Sequence, residues 1–216
     1  VLTVAVKKDA HQEAIYSVAD EQEMTLIGFM GFLDPAKESA VTAIKSLHHH
    51  GVTVKVLTGD NEVVAEKVCR DVGIEVSHAL LGADIDSMSA EELAEAAETT
   101  NLFAKLNPMQ KSRIIQALQA DGHTVGFMGD GINDAPALRT ADVGISVDTA
   151  ADITKDASSI ILLEKSLNVL DKGVVEGRKV FSNMMKYIKI TISSNFGNVF
   201  SILVASAFLP FLPMLS

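Results

Sequence analysis

The ten residues GDGINDAPAL (129–138) directly follow the short apolar run TVGFM (124–128). Such a run predicts a buried strand that ends at Gly129. Two carboxylates, Asp130 and Asp134, then follow the carboxyl end of that strand, and open parallel sheets bind their ligands outside the carboxyl ends of the strands. A solvated turn also uses Asp and Gly. The choice between a turn and a binding site therefore depends on which other residues reach the same edge of the sheet.

The composition is that of an apolar and acidic chain. Of the 216 residues 48% are hydrophobic, and the formal net charge is −10. Because this charge leaves no basic stripe for phosphate backbones, we expect no nucleic-acid partner. The single cysteine, Cys69, excludes an internal disulfide and is typical of a reducing compartment. The chain opens with VLTVAV (1–6), which is typical of an interior strand rather than of a signal peptide, so we expect a piece of a longer protein.

Apolar strand patterns alternate with amphipathic helical patterns through the middle of the chain. The strand patterns are VTVKVL (52–57), LFAKL (102–106), HTVGFM (123–128), DVGIS (142–146) and SIILL (159–163). The helical patterns cover residues 36–49, 61–73, 89–100, 108–120 and 134–140. This alternation predicts an α/β fold with a parallel sheet covered on both faces. We predict one doubly wound, Rossmann-like domain over residues 28–165, preceded by strands at 1–6 and 23–33.

The last part of the chain has the length and composition of a membrane helix. Residues 166–209 lack a strong helix breaker, and 190–209 are almost free of charge, close to the roughly 20 residues that a spanning helix needs. Lys186 and Lys189 precede the apolar segment, as expected for a cytoplasmic flank. The alternative is a buried helix of a soluble domain, because several polar residues interrupt the run. We favour the membrane, with residues 210–216 as a loop.

Polar groups suited to magnesium and phosphate follow three of the predicted strands. They are Thr58, Gly59 and Asp60 after one strand, Lys111 after the next, and Asp130 and Asp134 after a third. Mg²⁺ prefers carboxylates, water and phosphate oxygens. A lysine offsets the charge of a transferring phosphoryl group. Glycines at 129 and 131 let the backbone approach such a site without a Cβ clash.

Three segments together resemble the P-type ATPases of the haloacid dehalogenase superfamily: GDGINDAPAL (129–138), TGD (58–60) and LNPMQKSRII (106–115). The resemblance covers nearly the whole chain. ASSIILLEKSLNVL (157–170) and SSNFGNVFSILVASAFLPFLPML (193–215) are similar to the magnesium-importing branch in particular. The resemblance implies a haloacid dehalogenase-type fold, ATP and Mg²⁺ as cofactors, and transport of a divalent cation, Mg²⁺, through an aspartyl-phosphate intermediate.

The resemblance also implies a division into domains. Residues 1–27 would end the nucleotide-binding domain, 28–165 would form most of the phosphorylation domain, 166–189 the stalk helix, 190–209 the fifth transmembrane helix and 210–216 a loop. The implied partners are the transported cation, the remaining domains and helices of the same pump, and membrane lipid. The implied location is the inner cell membrane, with residues 1–186 in the cytoplasm.

Family roles carry over onto the matching residues only. They make Asp130 and Asp134 the magnesium ligands, Lys111, Thr58 and Asp134 catalytic residues, and Thr58, Gly59, Asp60 and Lys111 the phosphate-binding residues. Asn195 and Asn198 match positions at which related pumps place transport residues on the fifth helix, and the alternative is that they hydrogen-bond to neighbouring helices. Calcium pumps have a glutamate at the second of these positions, so Asn198 argues against a calcium-pump mechanism.

The phosphorylated aspartate of the family lies in an Asp-Lys-Thr-Gly-Thr motif, and no such string occurs in this sequence. Asp34 follows an apolar run but lacks that context, so we do not assign it as the nucleophile. We expect the nucleophile upstream of Val1, and we expect the chain alone to be inactive.

Two other functions and two simpler local interpretations stay open. The chain could be a soluble phosphatase of the same superfamily, acting on a small phosphorylated metabolite, or a non-enzymatic module that binds Mg²⁺ and a partner. The phosphatase requires a nucleophilic Asp-x-Asp-type loop, and it leaves the apolar tail unexplained. Locally, the two carboxylates could form an Asx turn, and Asp60 could cap the following helix.

Overall fold

The computed structural model describes residues 2–7, 18, 21–31 and 38–208. The chain forms two compact units, Val1–Ala36 and Lys37–Ser216. The expectations for Asp34 and for the loop 210–216 lie outside the described residues.

The first unit contains an antiparallel pair of strands, β1 (Leu2–Val6) and β2 (Thr25–Met30). Both predicted strands are present among the described residues. The register pairs Leu2 with Met30 and shifts between Val4 and Ala5. Strand β2 crosses residue 28, and the compact unit extends to Ala36.

The second unit has an α/β architecture, as predicted. Its elements are α1 (Glu38–His49), β3 (Val56–Leu57), α2 (Glu62–Val72), β4 (Ala79–Leu81), α3 (Gly82–Ser87), α4 (Ala90–Thr99), β5 (Leu102–Ala104), α5 (Pro108–Ala120), β6 (Gly126–Met128), a 3₁₀ turn (Ile132–Asp134), α6 (Ala135–Thr140), β7 (Val143–Val147), α7 (Asp152–Asp156), β8 (Ile160–Leu162) and α8 (Leu167–Phe208). Every strand pair in this unit is parallel.

The parallel strands form two ladders instead of the single sheet that the sequence predicted. Their orders are β3-β5-β4 and β6-β7-β8. Among the described residues, β3 and β6 are therefore edge strands. Each of these two strands therefore has one side on which its backbone N–H and C=O groups can hydrogen-bond to a further strand.

Helix boundaries follow the local signals in the sequence. Asn61 caps α2 by accepting a hydrogen bond from the Val63 amide at 2.8 Å, and Gly73 ends the helix at φ +80°. Since Asn61 is the cap, the interpretation of Asp60 as the cap is wrong. Pro108 opens α5 behind the cap residue Asn107, as expected for proline in a first helical turn.

Tertiary contacts, not local propensity, account for α3, which the sequence did not predict. This short helix contains a glycine and two aspartates, which are weak helix formers. The buried side chain of Gln110 donates hydrogen bonds to the Gly82 carbonyl at 2.9 Å and to Asp86 at 2.8 Å. Arg113 donates to the carbonyls of Ile85 and Met88, both at 3.0 Å. Both donors lie on α5, so α3 depends on a helix more than twenty residues away.

The core of the second unit lies around α4, β5 and α5. Its fully buried side chains include Ile85, Leu93, Phe103 and Ile114. Full burial of each such side chain contributes about 1.5–3 kcal/mol. Cys69 on α2 is also buried, and burial raises the pKa of its thiol. It is a small core residue, as expected for a free cysteine.

Helix α8 is continuous over 42 residues, which corresponds to ~63 Å. In the part of the chain that the structure describes, it is the one helix long and apolar enough to cross a membrane. None of its residues is buried. The alternative of a buried core helix is therefore wrong for this structure.

Polar contacts join the start of α8 to α1. The hydroxyl of Ser46 donates to Asp171 at 2.8 Å, and the Nδ1 atom of His50 lies 3.1 Å from the same carboxylate. Arg178 donates to the carbonyl of His50. We call these four residues the α1–α8 junction.

Candidate functional site

The loop after β3 is hydrogen-bonded to the loop after β5. The Leu106 amide donates to the Thr58 carbonyl at 3.0 Å, and the Lys105 amide donates to the Asp60 carbonyl at 2.9 Å. Lys105 adopts φ +53°, which is uncommon for a residue with a side chain. These bonds fix the position of Thr58, Gly59 and Asp60 relative to the start of α5.

The side chains of this loop also interact with each other. The Thr58 hydroxyl donates to the Asp60 carboxylate at 3.1 Å and accepts from the Asp60 amide at 3.0 Å. Thr58 is half-buried and Asp60 is exposed. The hydroxyl thus stabilises its own turn, and its single O–H donor must leave Asp60 in order to reach a phosphate oxygen.

Lys111 and Asp134 form the most buried ion pair of the site. The Lys111 Nζ atom lies 2.7 Å from Asp134 Oδ1, and the two side chains are 13% and 14% exposed. The second oxygen of Asp134 accepts from the Gly131 amide at 3.3 Å. Lys111 lies in the first turn of α5, so this pair connects α5 to the turn after β6. The two sequence-predicted residues are therefore in direct contact.

Gly129 is required by the position of the Asp134 side chain. A Cβ atom at Gly129 would lie 2.6 Å from the Asp134 Cβ and 2.8 Å from its Oδ2. A Cβ at Gly131 would lie 3.3 Å from the same oxygen. The sequence interpretation gave this space to the metal, whereas the structure shows that the Asp134 side chain occupies it.

Asp130 is the accessible carboxylate of the turn. Its Oδ2 atom lies 2.6 Å from Lys165 Nζ, and the two side chains are 55% and 58% exposed. Sequence reasoning did not select Lys165. The sequence did contain a signal for it, because Lys165 follows the carboxyl end of β8. Its position after a parallel strand is the criterion by which the other site residues were identified.

Thr154 is a second residue that the sequence reasoning missed. Its side chain is fully buried, and its hydroxyl donates to the Gly131 carbonyl at 3.0 Å. This bond holds the turn after β6 against α7. The sequence carries no signal for it, because the contact depends on the packing of α7.

The donor set suits a magnesium ion. Mg²⁺ is usually held by one or two carboxylates and completed by water and phosphate oxygens. Asp130 offers an exposed carboxylate, while both oxygens of Asp134 already accept hydrogen bonds. Asp130 is therefore the residue best placed to hold the ion, and Asp134 positions the turn.

Asn195 and Asn198 lie far from this group of residues. Both are exposed on α8. Asn195 is 28 residues beyond Leu167, which places it ~42 Å along the helix. Within the described residues, α8 is the element that connects them to the rest of the second unit.

Replacing Lys165 is expected to strengthen magnesium binding. In Lys165→Met the ammonium no longer competes with a metal ion for Asp130, and an exposed pair is worth up to ~1 kcal/mol, so the Kd for Mg²⁺ should fall about two- to fivefold. The measurement is calorimetric titration of the full-length parent protein with Mg²⁺. Lys155→Met is the matched control, since Lys155 pairs with Asp152 instead. An unchanged or higher Kd in Lys165→Met would contradict the competition.

Comparison with known proteins places the chain in a family. The haloacid dehalogenase-like hydrolase family matches residues 3–142. The chain is 60% identical over 215 residues to "Magnesium-transporting ATPase, P-type 1" of Escherichia coli (strain K12), covering 100% of this chain and 24% of that protein. It is 59% identical over 215 residues to the protein of the same name from Salmonella typhimurium (strain LT2), with the same coverage.

A more distant relative shares the same region. The chain is 37% identical over 193 residues to "Endoplasmic reticulum calcium ATPase srcA" of Aspergillus fumigatus, covering 87% of this chain and 20% of that protein. The chain thus spans about a quarter or less of the length of these relatives. These relatives confirm the resemblance to P-type ATPases. Because the family match covers more than half of the residues, the chain belongs to the haloacid dehalogenase-like hydrolases.

Proposed function

We propose that this chain is the part of a P-type, magnesium-importing ATPase that holds Mg²⁺ and the transferring phosphoryl group. The observation that carries the proposal is the buried Lys111–Asp134 pair beside the accessible carboxylate of Asp130, at the carboxyl end of β6. A cation and an accessible carboxylate at the end of a parallel strand suit phosphoryl transfer. The identity to magnesium-transporting relatives supports Mg²⁺ as the transported ion.

Each residue then has a chemical role. Asp130 holds Mg²⁺, which neutralises charge on the phosphoryl oxygens when bound. The Lys111 ammonium offsets the remaining charge of the group in transfer. The Thr58 hydroxyl hydrogen-bonds a phosphoryl oxygen, with Gly59 and Asp60 shaping its loop. Asp134 holds Lys111 in place and keeps its ammonium directed at the site.

The nucleophile and the ATP site belong, in this proposal, to parts of the pump outside these residues. An aspartate upstream of Val1 takes the γ-phosphoryl group of ATP and forms an aspartyl-phosphate. A strand that carries this aspartate can pair with the edge strands β3 and β6, whose carboxyl ends lead to Thr58 and Asp130. The chain alone is then inactive, because it lacks the group that accepts the phosphoryl.

Helix α8 connects this chemistry to transport. Residues 166–189 serve as the stalk and 190–209 as a transmembrane helix of the inner cell membrane, with residues 1–186 in the cytoplasm. The α1–α8 junction fixes the stalk to the catalytic domain, so movements of that domain are transmitted along the helix. Asn195 and Asn198 contribute to the cation path, together with other helices of the same pump.

The test is cation-stimulated ATP hydrolysis by the full-length parent protein in lipid. Each divalent cation is varied on the transport side while Mg²⁺-ATP is kept constant, and Asp130→Asn serves as the inactive control. We expect stimulation by Mg²⁺ above the other cations, and its loss in the control. Hydrolysis that ignores every cation would reject the pump. Release of phosphate from small phosphorylated metabolites in place of ATP would favour a phosphatase of the same superfamily.

A further inference from the structure

A second group of potential metal ligands lies away from the phosphate site. It comprises Glu98 near the end of α4, Asp121 at the end of α5, and His123 before β6. One ligand atom from each residue lies within 4.8 Å of the other two. Glu98 and His123 precede β5 and β6, whereas Thr58 and Asp130 follow strands. The group therefore lies toward the opposite ends of the strands from the phosphate site.

The spacing of these atoms suits a small divalent cation. The Nε2 atom of His123 lies 2.8 Å from Glu98 Oε2 and 3.8 Å from Asp121 Oδ2. Tetrahedral coordination by nitrogen and oxygen at about 2.0–2.2 Å separates neighbouring ligand atoms by about 3.4 Å. The two observed distances bracket this value. The ligand atoms of Glu98 and Asp121 also lie within 4.8 Å of each other, so all three atoms can face one ion.

The backbone that carries the ligands is held in place. Lys55 donates from its ammonium to the carbonyls of Glu98 at 3.0 Å and Thr100 at 2.8 Å, which fixes the end of α4. The Asp121 and His123 amides bond back to the last turn of α5, and α4 packs against α5. The Lys55 ammonium also interacts electrostatically with the Glu98 carboxylate, and that carboxylate lies 2.8 Å from His123 Nε2.

We propose that Glu98, Asp121 and His123 form a binding site for a divalent transition-metal cation of the Zn²⁺ class. One imidazole and two carboxylates are ligands that Zn²⁺ and its neighbours accept, whereas Mg²⁺ prefers oxygen ligands only. The metal takes the place of the direct contact between His123 Nε2 and Glu98 Oε2. Three protein ligands leave the fourth position for water. The site joins the ends of α4 and α5.

The experiment titrates the full-length parent protein, with any affinity tag removed, against Zn²⁺ and a competing chromophoric chelator. A large excess of Mg²⁺ blocks sites that take hard cations. We expect one Zn²⁺ per chain that is lost, or bound at least about tenfold more weakly, in His123→Ala and Glu98→Gln. Co²⁺ in place of Zn²⁺ should give a visible absorption band that disappears in the same variants.

Two variants provide matched controls. His48→Ala removes another exposed imidazole, and Glu95→Gln removes a carboxylate from the same helix as Glu98. Both should bind Zn²⁺ as the unchanged protein does. The proposal would be overturned if His123→Ala bound Zn²⁺ as tightly as the unchanged protein. It would also be overturned if His48→Ala lost as much Zn²⁺ affinity as His123→Ala; the contact between His123 and Glu98 would then have no role in metal binding. Because Glu98→Gln is nearly isosteric, it gives an answer even if His123→Ala folds poorly. The result does not depend on ATP hydrolysis, so it stands or fails separately from the proposed pump.

Discussion

Lys111→Met is expected to lower ATP hydrolysis by the full-length parent protein by about 10²–10³-fold, since it removes a charge directed at the transferring group. It should also destabilise the domain. The pair with Asp134 is largely buried, and loss of one partner leaves an uncompensated carboxylate at a cost of about 3 kcal/mol. The measurements are ATP hydrolysis in lipid and chemical denaturation monitored by circular dichroism.

Two further variants separate the effect of the Lys111 charge on activity from the effect of its ion pair with Asp134 on stability. Lys111→Arg keeps the charge and should retain most of the stability while losing activity, because a guanidinium differs from an ammonium in shape and hydrogen bonding. Lys111→Met combined with Asp134→Asn should recover part of the stability without recovering activity. If Lys111→Met retained full hydrolysis, the lysine would have no role in phosphoryl transfer. If the double variant were no more stable than Lys111→Met, the buried pair would not be the cause of the destabilisation.

Gly129→Ala is expected to reduce ATP hydrolysis by about 10²-fold. The new methyl group would lie 2.6 Å from the Asp134 Cβ, so either the side chain or the turn must move. A displacement on the order of 1 Å in a reacting site is enough for such a loss. The overpacking should cost about 1–3 kcal/mol in the free energy of unfolding.

Gly126→Ala is the matched control for Gly129→Ala. Gly126 lies on the preceding strand, and a Cβ there would meet its nearest atom at 3.8 Å, an ordinary contact. This variant should keep its activity. Similar losses in both variants would mean that any added methyl group near β6 is harmful, and the specific contact with Asp134 would then not explain the effect. Phosphorylation by ATP, measured directly, shows whether the loss lies in formation of the intermediate.

Local signals allowed much of the fold to be predicted. Asn61 and Asn107 mark the starts of α2 and α5, and Gly73 marks the end of α2, because each satisfies backbone groups within a few residues. By contrast, α3 depends on Gln110 and Arg113 of a distant helix, and no local pattern encodes such contacts. The division of the parallel strands into two ladders was also unforeseen, because alternation of strands and helices predicts parallel pairing but not which strands pair.

The site shows the same distinction. Asp130, Asp134 and Lys111 follow strands in the sequence, and the structure brings the last two into contact. The role of Gly129 could not be predicted from the sequence, because only the backbone position shows that the Asp134 side chain fills the space. Thr154 acts by donating a hydrogen bond to the Gly131 carbonyl, and no pattern in the sequence predicts this contact. Sequence reasoning therefore identifies the charged groups of the site more readily than the groups that orient them.

The separation of the two ladders has a mechanical consequence. Thr58 follows a strand of one ladder and Asp130 follows a strand of the other. No strand-to-strand hydrogen bond between the described ladders sets the distance between these two loops. That distance is instead set by α5, which packs against α6 and carries Lys111 to Asp134. A substitution that loosens this helix packing would displace Lys111 from Asp134 while leaving each ladder intact, and would resemble a substitution of the site residues although it lies outside the site.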